Sequence, residues 1–182
     1  MERVLVSGIS GAGKTTLGRR LQDLLALPHH ELDALHHGPN WTRRAEFEAD
    51  VEAFSAGPRW VTEDQYHSLL GDRLWRRADT VVWLDLPRRT VMGRVVRRSA
   101  ARALTGRELW NGNRESFGQW LEADHPIRWA WSRYERKREK TLERIGRNPG
   151  PAVVRLDSPG EVRRWLASLP RAGRFVPGGE ER

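Results

Sequence analysis

Residues Gly8-Ile9-Ser10-Gly11-Ala12-Gly13-Lys14-Thr15 constrain this chain more than any other stretch. They fit G-x-x-x-x-G-K-[ST], a loop that wraps phosphate oxygens. The flanks fit as well. Val4-Leu5-Val6 reads as a short buried strand, and Thr16 to Leu27 as a helix with apolar positions at Leu17, Leu21, Leu24 and Leu25. Glycines let the backbone curl until successive N–H groups converge on one anion. The helix that follows adds partial positive charge at the same spot. The expected phosphate cradle is Gly8, Ser10, Gly11, Ala12, Gly13, Lys14, Thr15 and Thr16. In such a loop the lysine reaches the β- and γ-phosphates and the Thr hydroxyl can ligate Mg²⁺. ATP and Mg²⁺ are therefore the expected cofactors.

Composition narrows the setting. A chain of 182 residues favours one domain, expected over residues 1–169 with a flexible tail over 170–182. It has no cysteine, which excludes disulfides, thiolate zinc sites and cysteine nucleophiles. No run of 18 apolar residues occurs, and the first residues enter a strand without a signal-peptide pattern, so a cytoplasmic protein is expected. The net charge is +8, carried by arginine with only three lysines. A basic chain suits anionic ligands, whether nucleotides or nucleic acid. Oligomeric state is left open.

Strands alternate with helices along the chain. Strands are expected at Arg3–Ser7, His29–Leu32, Arg59–Thr62, Thr80–Leu84 and Ala152–Leu156. Helices are expected from Arg43 to Ser55, from Pro87 to about Arg98, from Ile127 to Ile145, and from Ser158 to about Leu169. Ser158 and Glu161 form an S-x-x-E capping box with Pro159 at the first helical position. Residues 99–125, polar and basic with few periodic apolar positions, read as a mobile lid insertion. This alternation implies a parallel sheet with helices on both faces. Ligands then bind at the carboxyl ends of the strands.

Carboxylates stand at those ends. Asp33 follows the second strand, Glu63 and Asp64 the third, Asp85 the fourth. Phosphoryl transfer needs a metal to neutralise phosphate charge and often a carboxylate to take the acceptor's proton. Glu63 or Asp64 is expected to help Thr15 hold the metal, with Asp85 as the alternative. Asp33 is expected to contact the acceptor and act as base. His36, Trp41, Tyr66 and Arg94 are expected at the acceptor. Arg98 and Arg133 flank the insertion and are expected to close on the transition state with Lys14. The four histidines His29, His30, His36 and His37 lack metal-site spacing such as H-E-x-x-H. Trp83, inside a strand, is expected in the core.

Four segments carry a resemblance: the phosphate loop, Leu32-Asp33-Ala34-Leu35-His36 with Pro39 and Trp41, Trp60-Val61 with Tyr66, and Val82-Trp83-Leu84-Asp85-Leu86-Pro87-Arg88. Together they resemble the topology modulation protein-like group of P-loop kinases, relatives of adenylate and shikimate kinases. Glu108-Leu109-Trp110-Asn111-Gly112-Asn113-Arg114-Glu115 is similar to the lid segment of that group. The resemblance spans about residues 3–169. It implies a three-layer α/β/α fold, a five-stranded parallel sheet in the order 2-3-1-4-5 and an Arg-rich lid. It also implies ATP-dependent phosphoryl transfer to a small acceptor such as a nucleoside, a nucleotide or a similar alcohol. One departure matters. Glu63 and Asp64 stand where the group usually has Asp and Gly, so Asp64 is expected to crowd the acceptor. His37 and Asn40 replace commoner Trp and Gly. A nucleotide-binding regulator without catalysis, and a nucleic-acid end kinase, remain as alternatives; no membrane partner is expected.

Overall fold

A computed structural model describes residues 1–105 and 126–171. Five parallel strands form one sheet in the order β2-β3-β1-β4-β5. They are β1 (Arg3–Gly8), β2 (His29–His30), β3 (Trp60–Glu63), β4 (Thr80–Leu84) and β5 (Ala152–Leu156). The register aligns Val6 with Glu63 on one side and with Val82 on the other. β1 thus sits at the centre, and its carboxyl end opens directly into the phosphate loop.

The inner strands β1 and β4 are largely apolar and buried because both sheet faces are covered there. Alternate β1 residues go to opposite sides. Val4 and Val6 join Leu17 and Leu21 of α1 (Lys14–Leu25), Val91 and Val95 of α6 (Arg88–Thr105) and Leu156. Leu5 joins Phe47 and Val51 of α3 (Phe47–Ser55) and Trp60. The same second cluster takes Leu70 of α4 (His67–Leu70), and Leu74 and Trp75 of α5 (Arg73–Arg77). α8 (Pro159–Ser168) packs on the first cluster through Val162 and Trp165. α7 (Pro126–Arg147) crosses the sheet beside α6. This is the expected three-layer arrangement and strand order. Trp83 is 3% exposed, as expected of a core residue.

Several boundaries differ from expectation. β2 stops at His30, and Leu32–His36 forms α2 instead of strand. β2 pairs only with β3, so little holds it extended, and the Glu63 carboxylate accepts from the Leu32 amide where the chain turns. α3 begins at Phe47 rather than Arg43 because Arg43 bridges back to His37. Between them Pro39–Trp41 makes a 3₁₀ turn, with Asn40 and Trp41 at positive φ. α4 and α5 occupy a stretch for which the sequence suggested no element. α6 runs on through Thr105 rather than ending near Arg98, so residues 99–105 are helix. The rest of the expected lid (106–125) and the expected tail beyond 171 lie outside the described residues. The capping box of α8 is formed. Ser158 Oγ accepts from the Glu161 amide at 3.2 Å, and Glu161 accepts from the Asp157 amide at 2.9 Å. No helix among the described residues is long and apolar enough to cross a membrane.

Candidate functional site

Residues 9–13 link β1 to α1 in the tight curl that the glycines allow. Gly11 has φ 86°, and a Cβ there would lie 2.3 Å from Val95 Cγ2. Only glycine fits between the loop and α6. Gly13, at φ 101°, precedes α1, and no side chain caps that helix. The first amides of α1 therefore point out of the helix without a side-chain acceptor, in the arrangement that suits an anion. Lys14 is buried, and its Nζ lies 3.3 Å from the Ile9 carbonyl oxygen. Burial first, and then repulsion by Lys137, pulls its pKa down to about 8, against the opposing charges of Glu63, Asp33 and Asp64. Such an ammonium gains from an arriving polyanion. Arg94, from α6, donates to the Ala12 carbonyl at 2.8 Å, placing its guanidinium at the phosphate loop.

The adjacent carboxylates of β3's end part company. Glu63 is 2% exposed and lies across from α1. Its Oε1 is 3.2 Å from His29 Nε2 on β2. Burial alone would raise its pKa. Hydrogen bonds from His29 and Thr15, with the charge of Lys14, hold it below the ordinary value instead. Glu63 thus stands as an ionised carboxylate beside the Thr15 hydroxyl. Asp64 turns the other way, into the protein. Its Oδ2 accepts from Ser7 Oγ at 2.7 Å and from Lys137 Nζ at 3.3 Å. Its Oδ1 accepts from Trp75 Nε1 at 2.9 Å and from Arg144 at 3.1 Å. Burial would raise this group too, but Lys137, His67, Arg144 and the Ser7 bond bring it down to about 2. The His67 ring among these cations is kept neutral, its pKa lowered to about 4 by burial and by repulsion from Lys137 and Arg144.

The two neighbouring carboxylates thus have different partners. The Asp64 oxygens are taken by four protein donors, Ser7, Lys137, Trp75 and Arg144, whereas Glu63 has the Thr15 hydroxyl as a partner. The Asp64 side chain is directed at Ser7 of β1 and at α7. Asp85, the alternative, is held by Arg138 at 3.0 and 3.2 Å and by Arg155 at 2.6 Å. It sits in an open groove of about 460 Å³ lined by Tyr134, Arg138, Arg155, Asp157 and Ser158. The Arg155 guanidinium lies 5.0 Å over the Trp83 ring.

On the other side of the phosphate loop, α2 carries Asp33 and His36. Tyr66 donates to Asp33 Oδ1 at 2.6 Å. Burial and the neighbouring Asp33 carboxylate raise the Tyr66 phenol well above its ordinary pKa, so it stays protonated. The His36 ring stacks on Tyr66 with centroids 4.2 Å apart, and His37 meets the Trp41 ring edge-on at 5.2 Å. Asp33, His36 and Tyr66, with Trp41 joined through His37, are thus gathered into one cluster. Its link to the phosphate loop is electrostatic: Asp33 and Glu63 both act on Lys14 and on Tyr66. Arg94 stands apart from this cluster, on the phosphate loop. Arg98 lies on α6 one turn beyond Arg94. Arg133 lies on α7, with its side chain outside the described part.

Sequence reasoning missed His29, Lys137 and Arg144. The signal for the last two was present. Lys137, Thr141 and Arg144 recur at i, i+4 and i+7, the spacing of one helix face. Thr141 and Arg144 are 1% and 8% exposed. Polar residues at core-facing positions of a basic helix pointed to a buried counter-charge, which Asp64 supplies.

No protein-family model matches the sequence, and no curated protein matches it. Solved structures do match the fold. A shikimate kinase from Acinetobacter baumannii, solved in complex with shikimate, is 14% identical with a TM-score of 0.55, over 92% of this chain and 89% of that one. A shikimate kinase from Bacteroides thetaiotaomicron is 16% identical with a TM-score of 0.50, over 91% of this chain and 94% of that one. With its five parallel strands in the order 2-3-1-4-5 and the glycine-rich loop after the central strand, the chain has the fold of these two shikimate kinases.

Proposed function

We propose that the protein is an ATP-dependent kinase that transfers the γ-phosphoryl group to a small acceptor. One observation carries this reading. A buried lysine in a phosphate loop meets two carboxylates, Glu63 and Asp33, from the ends of neighbouring elements. The loop amides from Gly8 to Thr16 and the Lys14 ammonium bind the phosphates, and Arg94 adds a second cation at the loop. Thr15 and Glu63 fit a magnesium ion: a hydroxyl beside an ionised, buried carboxylate is a hard oxygen donor set. Bound Mg²⁺ supplies charge neutralisation on the phosphate oxygens. Asp33 orients the acceptor, with His36, Trp41 and Tyr66 lining its place. Arg98 and Arg133, on the two helices that flank residues 106–125, supply positive charge to the transition state. The groove of about 460 Å³ beside Asp85, Tyr134 and Arg155 is the place for the nucleotide's base; a small pocket that shares Asp85 and Tyr134 with it reaches Gly8 and Ile9.

The test is ATP consumption with Mg²⁺ over a panel of nucleosides, nucleoside monophosphates, shikimate-like alcohols and 5′-hydroxyl oligonucleotides. Lys14→Ala is run in parallel. The expected result is acceptor-stimulated turnover that vanishes in the variant. Wild-type-like turnover in Lys14→Ala refutes the reading. Tight ATP binding with no stimulated turnover points instead to a nucleotide-binding regulator.

A further inference from the structure

The two histidines of β2 go to opposite faces of the sheet. His30 stacks on Phe54 of α3, with ring centroids 4.2 Å apart. His29 pairs in register with Val61, and Glu63 lies two residues further along β3, on the same face. That face is covered by α1, whose Leu17 and Leu21 share a cluster with Val61. His29 and Glu63 thus meet beneath α1, their side chains 2% and 3% exposed. Gly18 stands in the interior of α1, where glycine weakens a helix. Its φ is not positive, so no turn calls for it. A Cβ at this position would lie 2.4 Å from His29 Nε2 and 2.9 Å from both Cδ2 and Cε1. The room left by the missing side chain is taken by the imidazole.

Both oxygens of Glu63 have a protein donor. His29 Nε2 lies 3.2 Å from Oε1. Two acceptors cannot share a hydrogen bond, so beside an ionised carboxylate Nε2 carries the hydrogen and donates it. The Leu32 amide donates to Oε2 at 3.4 Å. These two contacts, from β2 and from the turn after it, set the plane of the carboxylate and leave each oxygen a second lone pair. Two residues of α1 face the same group. Lys14 acts on it through charge, which attracts without aiming, and is shared with Asp33 and Asp64. Thr15 donates its hydroxyl hydrogen to it. A hydroxyl has one hydrogen. Once that goes to Glu63, the lone pairs of the Thr15 oxygen face away from the carboxylate and suit a cation.

We propose that His29 is a positioning residue for magnesium: it fixes the Glu63 carboxylate, and the fixed carboxylate takes the Thr15 hydrogen and turns that hydroxyl's lone pairs outward. The proposal rests on the kinase reading. His29 is not itself a metal ligand, because its Nε2 is spent on Glu63. It acts from beneath α1, at one remove, as the outer partners of metal-binding carboxylates do. The interior glycine of α1 belongs to the same device, since the imidazole reaches Glu63 only where position 18 has no side chain.

In the experiment, Mg²⁺ is titrated calorimetrically into the full chain saturated with β,γ-imido-ATP, and the affinity for that nucleotide is measured separately in EDTA. His29→Leu fills the space but loses the donor, and His29→Gln keeps an N–H near the place of Nε2. His29→Leu should weaken Mg²⁺ binding about tenfold, the low end of the usual loss for a group that orients a metal's ligand, and leave the nucleotide affinity in EDTA within about twofold. His29→Gln should recover most of the loss. In a Glu63→Gln background, His29→Leu should cost nothing further, because the residue acts through Glu63. Nitrogen NMR of the wild-type chain, a reading that needs no variant, should show the hydrogen on His29 Nε2. An Nε2 without hydrogen overturns the positioning role. So does unchanged Mg²⁺ affinity in folded His29→Leu, or an equal loss in the Glu63→Gln background. A fall of the EDTA affinity as large as the fall for Mg²⁺ does so too, since it marks packing alone. None of these results touches the kinase reading. A wild-type chain that binds no β,γ-imido-ATP overturns both.

Discussion

Replacing Asp64 by Asn tests whether this residue anchors α7 under the phosphate loop. Asn matches the shape and can still meet Ser7 and Trp75. It removes the negative charge between Lys137 and Arg144, whose side chains are 18% and 10% exposed. Two estimates bound the cost. The Asp64 pKa falls from 3.8 to about 2, which links to roughly 2 kcal/mol of stability. The group is almost fully buried, so solvent screening takes little from that figure. Breaking a buried ion pair by removing one partner costs about 3–5 kcal/mol. Arg144 keeps Asp72 at 3.6 Å, which favours the lower end. The expected loss is thus about 3 kcal/mol at pH 7. In a chain of this size that lowers Tm by roughly 6–12 °C, at about 2–4 °C per kcal/mol. Urea titration monitored by circular dichroism reads the free energy, and calorimetry reads Tm. The pH dependence carries a sign. Because the folded pKa is depressed, the wild-type advantage is fully present above about pH 4 and is lost as pH falls through about 2. A variant within about 0.5 kcal/mol of wild type at pH 7, the range of an ordinary surface change, refutes the anchoring argument. So does a deficit that persists undiminished into acid.

Three further changes probe the phosphate loop and its supports. Lys14→Met should abolish ATP turnover yet raise the stability of the nucleotide-free chain by roughly 1–3 kcal/mol, because it removes a buried charge whose pKa has dropped to about 8; in urea titrations that gap should close as pH rises from about 8 toward 10.5, where wild-type Lys14 sheds its proton. Gly18→Ala places a Cβ 2.4 Å from His29 Nε2. Overpacking of about 1–3 kcal/mol outweighs the ~1 kcal/mol helix gain of alanine, and Mg²⁺-dependent turnover should fall with the displaced His29–Glu63 contact. Arg94→Ala should weaken ATP binding about tenfold in calorimetric titration while shifting stability by less than ~1 kcal/mol, and Arg94→Lys should recover only part of the affinity, since an ammonium lacks the planar fork. Unchanged ATP affinity in Arg94→Ala would remove Arg94 from the phosphate site.

What was legible in the sequence was local. The phosphate loop needs glycines at fixed offsets, and β4, an apolar or β-branched run, and β5, such a run but for Arg155, have the expected bounds. Glu63 falls at the carboxyl end of β3 as read from the sequence, whereas Asp33 lies in α2, beyond the end of β2. α4 and α5 were not legible, because four- and five-residue helices carry too few turns to show a period. β2 was overextended because His29–Leu32 has the composition of a strand, while its length is decided by an edge position with a single neighbour.

The fate of Asp64 was the least legible feature, and its cause is distance along the chain. Its partners Lys137 and Arg144 are 73 and 80 residues away. Viewed locally, an Asp in place of Gly next to a carboxylate adds charge to the site. Viewed in the fold, it does the opposite. It neutralises two cations of α7, ties that helix to Ser7 at the end of β1, and leaves Glu63 as the carboxylate facing Thr15. α6 is fixed to the same loop from the other side by Val95 against Gly11 and Arg94 on Ala12. Both helices that bracket residues 106–125 are therefore seated on β1 and the glycine-rich loop that follows it. Asp64 thus acts as a structural link between β1 and α7, with Ser7 on one side and Lys137 and Arg144 on the other.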